Sequence, residues 1–147
     1  MLNYFIRSPK NKKQWDDYLL FRWEMLRKPL GMSMDSLKDD LENSSYHIIA
    51  LEEDQKSIVG SGRVHFNSLE ESQIRYMAIS DNYRRQGVGS DIVKKLEEYA
   101  MKHGAKKMIL NAREDAIRFY ASLGYIKGSP YKSDTGIPHT TMEKYLV

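Results

Sequence analysis

The chain has 147 residues, of which 41% are hydrophobic and 29% are charged. These fractions are typical of a soluble globular protein, and the length suits one domain rather than two. We therefore expect residues 1–147 to form a single domain. No apolar run approaches the length of a membrane span, and the N-terminal residues lack the apolar core of a signal peptide. A cytoplasmic protein without membrane partners is the expectation.

The composition also limits the chemistry. The chain has no cysteine, which excludes disulfides, cysteine-ligated zinc and a cysteine nucleophile. Its 4 histidines are scattered without metal-ligand spacing, so we expect no metal site. The formal net charge of +3 comes from basic residues spread along the chain. Nucleic-acid-binding proteins usually concentrate such charge in a patch, so this distribution argues against nucleic acid as a partner.

The N-terminal part of the chain predicts a strand and two helices. Residues 3–7 predict a short first strand. Asn11 is a plausible N-cap, with Gln14 three residues later in a capping-box arrangement, and apolar residues at helical spacing continue to Leu26. Residues 36–42 predict a second, short helix.

The middle of the chain predicts three antiparallel strands separated by polar turns. Gly60 and Gly62 interrupt the second of these strands, which indicates a bulge or a close neighbour. The three strands are expected at residues 46–51, 58–66 and 73–79.

The C-terminal half alternates helices with strands. An amphipathic helix over residues 90–103 leads into a buried-looking strand, so that strand should lie parallel to the one that ends at Ile79. The further elements are expected at residues 107–111 (strand), 115–123 (helix), from 125 (strand) and 140–146 (strand). The order β-α-α-β-β-β-α-β-α-β-β predicts a mixed α/β fold, a mostly antiparallel sheet of about seven strands with helices on both faces.

The turn before the amphipathic helix carries the most specific chemical pattern. Its sequence, Arg84-Arg85-Gln86-Gly87-Val88-Gly89, combines glycines that allow close backbone approach with a helix start whose N–H groups lack partners. This pattern predicts a pyrophosphate-binding loop. It lacks the lysine of a Walker P-loop, and Ile92 stands where a dinucleotide fingerprint has its third glycine. A tight turn without a ligand is the alternative. The expected contacts are Arg84, Arg85, Gln86, Gly87, Val88, Gly89 and Ser90.

The element order and this loop resemble the GCN5-related N-acetyltransferase (GNAT) family, in which an Arg/Gln-x-x-Gly-x-Gly/Ala loop holds the pyrophosphate of acetyl-CoA. The resemblance covers nearly the whole chain. It includes Asn111 at the end of the fifth strand and the segment Ala116-x-x-Phe119-Tyr120-x-x-Leu123-Gly124-Tyr125. Within the family, Leu26-Arg27-x-Pro29-Leu30-Gly31 and Gly136-Ile137-Pro138-His139-x-x-Met142 are similar to a bacterial subgroup, the ElaA/YjcF-like acetyltransferases.

The resemblance implies a GNAT-like fold and acetyl-CoA as cosubstrate, without a metal. The fourth strand would splay from its parallel neighbour at a bulge and pair with pantetheine, and a backbone N–H near Met77 or Ala78 would polarise the acetyl carbonyl. The side chains there fit a core equally well. Asn111 would hold cofactor or substrate through its amide, with helix capping as the alternative. The strand residues implied in cofactor binding are Met77, Ala78 and Ile79.

Tyr120 matches the position of the general acid in the family. A phenol has a pKa near 10, close enough to that of an alkyl thiol to protonate the leaving thiolate. The alternative is a tyrosine that only packs on an apolar helix face.

The general base is not evident from the sequence. Many family members carry Glu or His on the fourth strand, where this chain has Gln73, Arg75 and Tyr76. A water chain could remove the proton, or His139 could act as base or substrate contact, because imidazole titrates near neutrality. The further candidates are His65 and Glu24 as bases, and Arg63 and Arg75 as contacts to an acidic acceptor or as residues of a solvated sheet face.

The resemblance implies an N-acetyltransferase that acts on a small-molecule or peptide amine. Direct attack in a ternary complex is expected, since no cysteine is present for a ping-pong route. A non-catalytic acyl-CoA-binding regulatory module is the alternative that the missing fourth-strand base supports. A nucleic-acid-associated protein is disfavoured by the scattered charge. The oligomeric state stays open, and a homodimer is the state that the resemblance suggests.

Overall fold

One seven-stranded sheet organises the chain in a computed structural model that describes residues 3–54 and 56–146. Its strands are β1 (Tyr4–Arg7), β2 (Tyr46–Glu52), β3 (Ile58–Phe66), β4 (Glu71–Ile79), β5 (Lys107–Arg113), β6 (Ile126–Lys132) and β7 (Pro138–Tyr145). Across the sheet they lie in the order β1-β2-β3-β4-β5-β7-β6. The β4–β5 pair is parallel, as predicted, and the other neighbours are antiparallel.

Helices cover both faces of this sheet. The helices are α1 (Lys12–Leu26), α2 (Val88–Lys102) and α3 (Ile117–Ser122). Successive strand residues point to opposite faces. In β2, Ile49 packs with Tyr18 of α1, whereas its neighbour Ile48 belongs to the core that contains Ile92 and Leu96 of α2. The predicted mixed α/β fold with helices on both faces is therefore confirmed.

Local signals set the start of α1 and the packing of α2. The side chain of Asn11 accepts the Gln14 backbone N–H at 2.9 Å, which confirms the predicted N-cap. A Cβ added to Gly60 would lie 2.9 Å from Ile92 Cδ1, and one added to Gly62 would lie 2.9 Å from Ile92 Cγ2. The close neighbour that these glycines indicated is α2, which approaches β3 too tightly for side chains at either position.

The prediction of a second helix over residues 36–42 is wrong. The chain forms two separate 3-10 turns, Met34–Leu37 and Glu42–Ser44. Between them Lys38 has extended backbone, and the Asp39 carboxylate accepts the Leu41 backbone N–H at 3.0 Å. Asp side chains that bond nearby backbone favour turns over helix. The third helix is also shorter than predicted, because residues 114–116 form a 3-10 turn.

A bulge in β4 changes the face on which its side chains lie. Ser61 pairs with Ala78 and Arg63 pairs with Arg75, so Tyr76 and Met77 together oppose the single residue between them on β3. Tyr76 has a φ of 58°, in the left-handed region. Its ring packs on guanidinium groups of the α1 face, whereas Met77 packs on the core beneath α2. Two consecutive side chains, those of Arg75 and Tyr76, therefore share one face.

The parallel strands β4 and β5 separate after a short ladder. Their paired residues run from Glu71 opposite Lys107 to Ile74 opposite Leu110. Beyond these positions β4 continues to Ile79 and β5 to Arg113. The carboxyl ends of two parallel strands thus open a gap in the middle of the sheet, a usual position for ligands in sheets of this kind.

Candidate active site

A cavity of about 180 Å³ occupies the gap between the separating ends of β4 and β5. Its walls come from the C-terminal end of α1, the two strands, α3 and the connection between β6 and β7. Of the residues predicted for the site, Met77, Asn111, Tyr120 and His139 line it. Four elements distant in sequence therefore bring these residues to one place.

The glycine turn at the start of α2 presents unpaired backbone donors. The first helical bond runs from the Asp91 N–H to the Gly87 carbonyl at 3.0 Å. Within the part of the chain that the structure describes, the N–H groups from Arg85 to Ser90 donate to no protein acceptor. Gly87 has a φ of +89°, and a Cβ there would meet nothing within 4 Å. An anionic group can therefore approach these donors without obstruction.

The two glycines of the turn have different roles. A Cβ on Gly89 would lie 3.0 Å from Phe119 Cζ, so this glycine admits the aromatic ring of α3 beneath the helix start. Arg84 is exposed and pairs with Asp81 at 3.1 Å, which leaves Arg85 as the arginine of the turn without an ion pair among the described residues. The positive charge of the turn is smaller than its two arginines imply.

Tyr120 is a buried residue of α3 whose side chain reaches the cavity. Its ring lies edge-on to Phe119 at 4.9 Å and to Tyr125 at 5.9 Å between centroids. Burial raises the pKa of Tyr120 above the ordinary phenol value, because the phenolate would lose its solvation. The hydroxyl therefore stays protonated at neutral pH and can act as a proton donor. It both packs and faces the cavity, so the two sequence interpretations are compatible.

Asn111 lies within β5, and the next helical turn is preceded by Arg113, so the helix-capping alternative is wrong. The Asn111 Oδ1 atom accepts a hydrogen bond from the Thr141 hydroxyl at 2.6 Å. This bond holds the amide plane and leaves its NH₂ group as the donor at the cavity wall.

His139 on β7 is held in one tautomer. Its Nδ1 atom lies 2.7 Å from the Ile137 carbonyl oxygen, which can only accept, so Nδ1 carries the proton. In the neutral ring Nε2 then keeps its lone pair, which is the arrangement a general base needs.

The β4 residues after the bulge contribute side chains to the core. Met77 and Ile79 pack against the cluster beneath α2, and Ala78 is buried. On the edge of β4 that faces β5, the backbone groups of these residues are not paired with β5, because the β4–β5 pairing ends at Ile74.

Three further candidates lie outside the cavity. Glu24 is exposed on α1, and His65 is buried between Arg63 at 2.8 Å and Asn67 at 3.1 Å. Arg63 is fully buried and pairs with Asp39 at 2.8 Å, so neither a solvated sheet face nor a direct acceptor contact describes it. Its positive charge is therefore paired within the protein and is not available to a ligand.

Arg27 and Arg75 both line the cavity, and the sequence indicated only one of them as a site residue. Arg75, named as a candidate, lines the cavity and is partly exposed. Arg27 also lines it, yet in the sequence this residue stands out only as part of the Leu26–Gly31 motif at the end of α1. The described residues contain no group of three side chains suited to a metal, and no described helix has the length and hydrophobicity to cross a membrane.

The family model described as Acetyltransferase (GNAT) domain matches residues 27–146, which is most of the chain. The chain belongs to the GNAT family. It is 34% identical over 136 residues to Uncharacterized N-acetyltransferase YjcF of Bacillus subtilis (strain 168), a match that covers 92% of this chain and 95% of that protein. It is 28% identical over 112 residues to Protein ElaA of Escherichia coli (strain K12), covering 74% and 72%. Both relatives agree with the ElaA/YjcF-like subgroup.

Solved structures show the same GNAT fold. The crystal structure of Escherichia coli ElaA superposes with a TM-score of 0.77 at 23% identity, covering 98% of this chain and 99% of that one. An aminoglycoside 6'-N-acetyltransferase complexed with coenzyme A superposes with a TM-score of 0.78 at 14% identity, covering 97% of each chain. As a member of the GNAT family, the chain is an acetyl-CoA-dependent acyltransferase.

Proposed function

We propose that this protein transfers an acetyl group from acetyl-CoA to a primary amine by direct attack in a ternary complex. The acceptor is a small molecule or a peptide. The observation that supports this most is the cavity that Tyr120, Asn111 and His139 line together. Residues 1–147 act as one domain in this proposal, because every described strand belongs to one sheet.

The cofactor is held by backbone more than by side chains. The unpaired N–H groups from Arg85 to Ser90 bind the pyrophosphate, with Arg84 at the edge of the loop. The pantetheine pairs with the free side of β4 from Met77 to Ile79 as an added strand would. A backbone N–H near Met77 or Ala78 then donates to the acetyl carbonyl oxygen, which gains negative charge as the amine attacks.

The cavity residues move the two protons of the reaction. His139 Nε2 takes a proton from the amine, whose nitrogen forms a bond to the thioester carbonyl carbon. When the tetrahedral intermediate collapses, the carbon–sulfur bond breaks and the Tyr120 hydroxyl protonates the leaving thiolate. Asn111 donates its NH₂ group to the bound cofactor or acceptor. The products are the N-acetylated amine and CoA.

A panel of amines and peptides tests this proposal. CoA release is measured with and without the enzyme, mass spectrometry identifies the acetylated nitrogen, and initial rates are taken over both substrates. Intersecting double-reciprocal lines are expected for a ternary complex. Acetyl-CoA binding without CoA release for any amine would support the non-catalytic acyl-CoA-binding module instead, and parallel lines would contradict direct attack.

A further inference from the structure

Four guanidinium groups surround the ring of Tyr76 beside the cavity. Their Cζ atoms lie between 3.8 and 5.6 Å from the ring centroid. The four residues, in order of distance, are Arg22, Arg75, Arg63 and Arg27. Like charges at this density repel one another unless carboxylates lie among them.

Two carboxylates neutralise part of this cluster. Glu42 pairs with Arg22 at 2.9 Å and with Arg63 at 3.1 Å. Asp39 pairs with Arg63 at 2.8 Å and with Arg75 at 2.7 Å. With four guanidinium groups and two carboxylates, the cluster has an excess of positive charge, and none of these pairs includes Arg27.

Arg27 is a buried cation without a counter-ion. Its exposed fraction is 8%, and no carboxylate lies within 4.0 Å of it among residues 3–54 and 56–146. One nitrogen donates to the Leu26 carbonyl at 3.2 Å, and its buried Nε has no acceptor. Burial in particular lowers the pKa of Arg27, since its charged form is poorly solvated there. Leaving such a charge unpaired is costly, so a bound anion would stabilise it.

Arg27 and Arg75 both open into the cavity that also holds Tyr120 and His139. Only one of the Arg75 nitrogens takes part in its bond to Asp39, so other donors remain on its fork. Asp134 lines the cavity too, and its negative charge acts on Arg27, but Asp134 is exposed and lies beyond ion-pair distance. The acceptor end of the site is therefore electropositive.

We propose that Arg27, assisted by Arg75, binds a carboxylate of the acceptor, so that the acceptor is a small amine that also carries a carboxylate group, such as an amino acid. A guanidinium fork matches the two oxygens of a planar carboxylate. The cavity of about 180 Å³ is little larger than the roughly 150 Å³ that hold a benzene molecule, which suits a small acceptor. This inference rests on the proposed function, whose transfer step supplies the acetyl group.

Turnover provides the first test. The panel consists of the twenty L-amino acids, their carboxamides and 2-aminoethyl phosphate, with CoA release as the readout. A charge-assisted hydrogen bond contributes about 1.5–3 kcal/mol, so at least one acid should exceed its carboxamide about tenfold or more in kcat/KM. Equal values for every acid and amide pair, or a preference for the phosphate, would overturn the inference.

A binding measurement separates this inference from the proposed function. Calorimetry in the presence of CoA compares N-acetyl amino acids with their carboxamides, which are the products or product analogues of the reaction. Tighter binding of an acid by about tenfold or more supports the carboxylate site even if no amine is turned over. Turnover of amines with no acid preference in either assay would leave the acetyltransferase proposal standing and overturn the carboxylate site.

Variants assign the preference to Arg27. We expect Arg27→Gln to lower the ratio of acid to amide binding about tenfold or more, and Arg27→Lys, which keeps the charge but not the fork, to lower it less. Lys28→Gln is the matched control, because Lys28 is the exposed neighbour outside the cavity and its loss should leave the ratio unchanged. If Arg27→Gln shows no cooperative thermal unfolding, Arg75→Gln carries the same test. An unchanged ratio in a folded variant contradicts the assignment.

Discussion

Tyr76 combines an unfavourable backbone conformation with an unusual set of neighbours. A φ of 58° is rare for a bulky residue and costs of order 1–3 kcal/mol. The ring offers its faces to guanidinium groups that are largely out of contact with water. Such contacts stabilise by about 0.5–2 kcal/mol each, which is enough to offset the strained backbone.

Substitutions at Tyr76 test this balance. We expect Tyr76→Phe to change the free energy of unfolding little, because the ring and its cation–π contacts remain. Tyr76→Leu should destabilise the protein by about 2 kcal/mol or more, since the guanidinium groups lose the ring. Urea unfolding of both variants measures the difference. Equal stability of the Phe and Leu variants would show that the ring contributes only its volume.

Tyr120 can be tested by removing one oxygen atom. If its hydroxyl protonates the thiolate, Tyr120→Phe should lower kcat about 100-fold while the dissociation constant of acetyl-CoA stays within about twofold. The control is Tyr125→Phe, which removes the hydroxyl of the neighbouring ring that bonds Glu97 outside the cavity. That change should affect stability more than kcat. Unchanged turnover in Tyr120→Phe would remove the residue from the acid role.

At the scale of elements, two glycines of like conformation, one at each end of α2, allow the roles of the two helix ends to be compared by substitution. Gly87 and Gly104 have φ values of +89° and +98°, and a Cβ at either would meet nothing closer than 3.8 Å. Valine at either position should therefore cost a similar amount of backbone strain.

Only Gly87→Val should weaken acetyl-CoA binding, because its side chain would project into the space in front of the unpaired N–H groups. We expect a loss of about tenfold or more in affinity, equivalent to about 1.4 kcal/mol. Calorimetry on both variants, each checked for folding, makes the comparison. Equal affinity in the two variants would exclude the turn as the pyrophosphate site.

The contact between α2 and β3 predicts opposite outcomes at neighbouring residues. In Gly62→Ala the new Cβ would lie 2.8 Å from Met77 Sδ of β4 and 2.9 Å from Ile92 Cγ2 of α2, so these side chains or the helix must shift, at a cost of about 1–3 kcal/mol. Ser61 lies on the other face with a buried hydroxyl that has no partner among the described residues. Ser61→Ala should therefore be neutral or stabilising. Urea midpoints measure both, and a harmless Gly62→Ala would contradict the tight packing.

The local parts of the fold could be predicted from the sequence, and the parts set by distant contacts could not. The cap at Asn11 and the strand expected at residues 46–51, which is β2, depend on neighbouring residues, and both were predicted correctly. The segment that contains Asp39 and Glu42 was wrongly predicted as a helix. The bond from the Leu41 N–H to Asp39 favours a turn locally, but the ion pairs that hold these carboxylates come from Arg63 and Arg22 in other elements. No local pattern contains that information.

The residues of the site also divide into those with a local sequence signal and those that distant contacts bring together. The glycine spacing of the turn before α2 is a local signal, and the structure gives this turn the open donors that the spacing indicated. Tyr120 was named through resemblance and His139 through the chemistry of imidazole, and their meeting in one cavity depends on the whole sheet. Arg27 was not singled out, because a basic residue at a helix end is ordinarily solvated. Its burial follows from the packing of α1 against the bulged strand.

At the scale of the whole molecule, buried histidines link stability to pH. His47 accepts the Tyr18 hydroxyl at Nδ1 at 2.7 Å and donates from Nε2 to the Glu42 carbonyl at 2.9 Å, so its neutral form is fully bonded. Burial in particular lowers the pKa of His47, and burial with the charge of Arg63 lowers the pKa of His65. Both rings therefore bind a proton more readily in the unfolded chain.

Because the unfolded state binds more protons, the contribution of these histidines to the free energy of unfolding is fully present above the unfolded histidine pKa of about 6.5. It is lost as the pH falls below that value. Each histidine contributes a slope of up to about 1.4 kcal/mol per pH unit until its lower folded pKa is reached. Urea unfolding between pH 7.5 and 5.5 should show this decline, and His65→Gln should reduce the slope. A constant free energy of unfolding across that range would contradict the prediction.

The extra residue in β4 also determines which kinds of mutation the strand can accept. Up to Arg75 the odd-numbered positions face α1, and from Met77 onward the odd-numbered positions face α2. A substitution at Tyr76 alters one side chain. Deleting Tyr76 instead restores simple alternation of the side chains. Every later residue of β4 must then either pair with a different residue of the neighbouring strand or point to the opposite face of the sheet. Insertions and deletions within this strand therefore act on both layers of the protein at once, whereas point changes act on one.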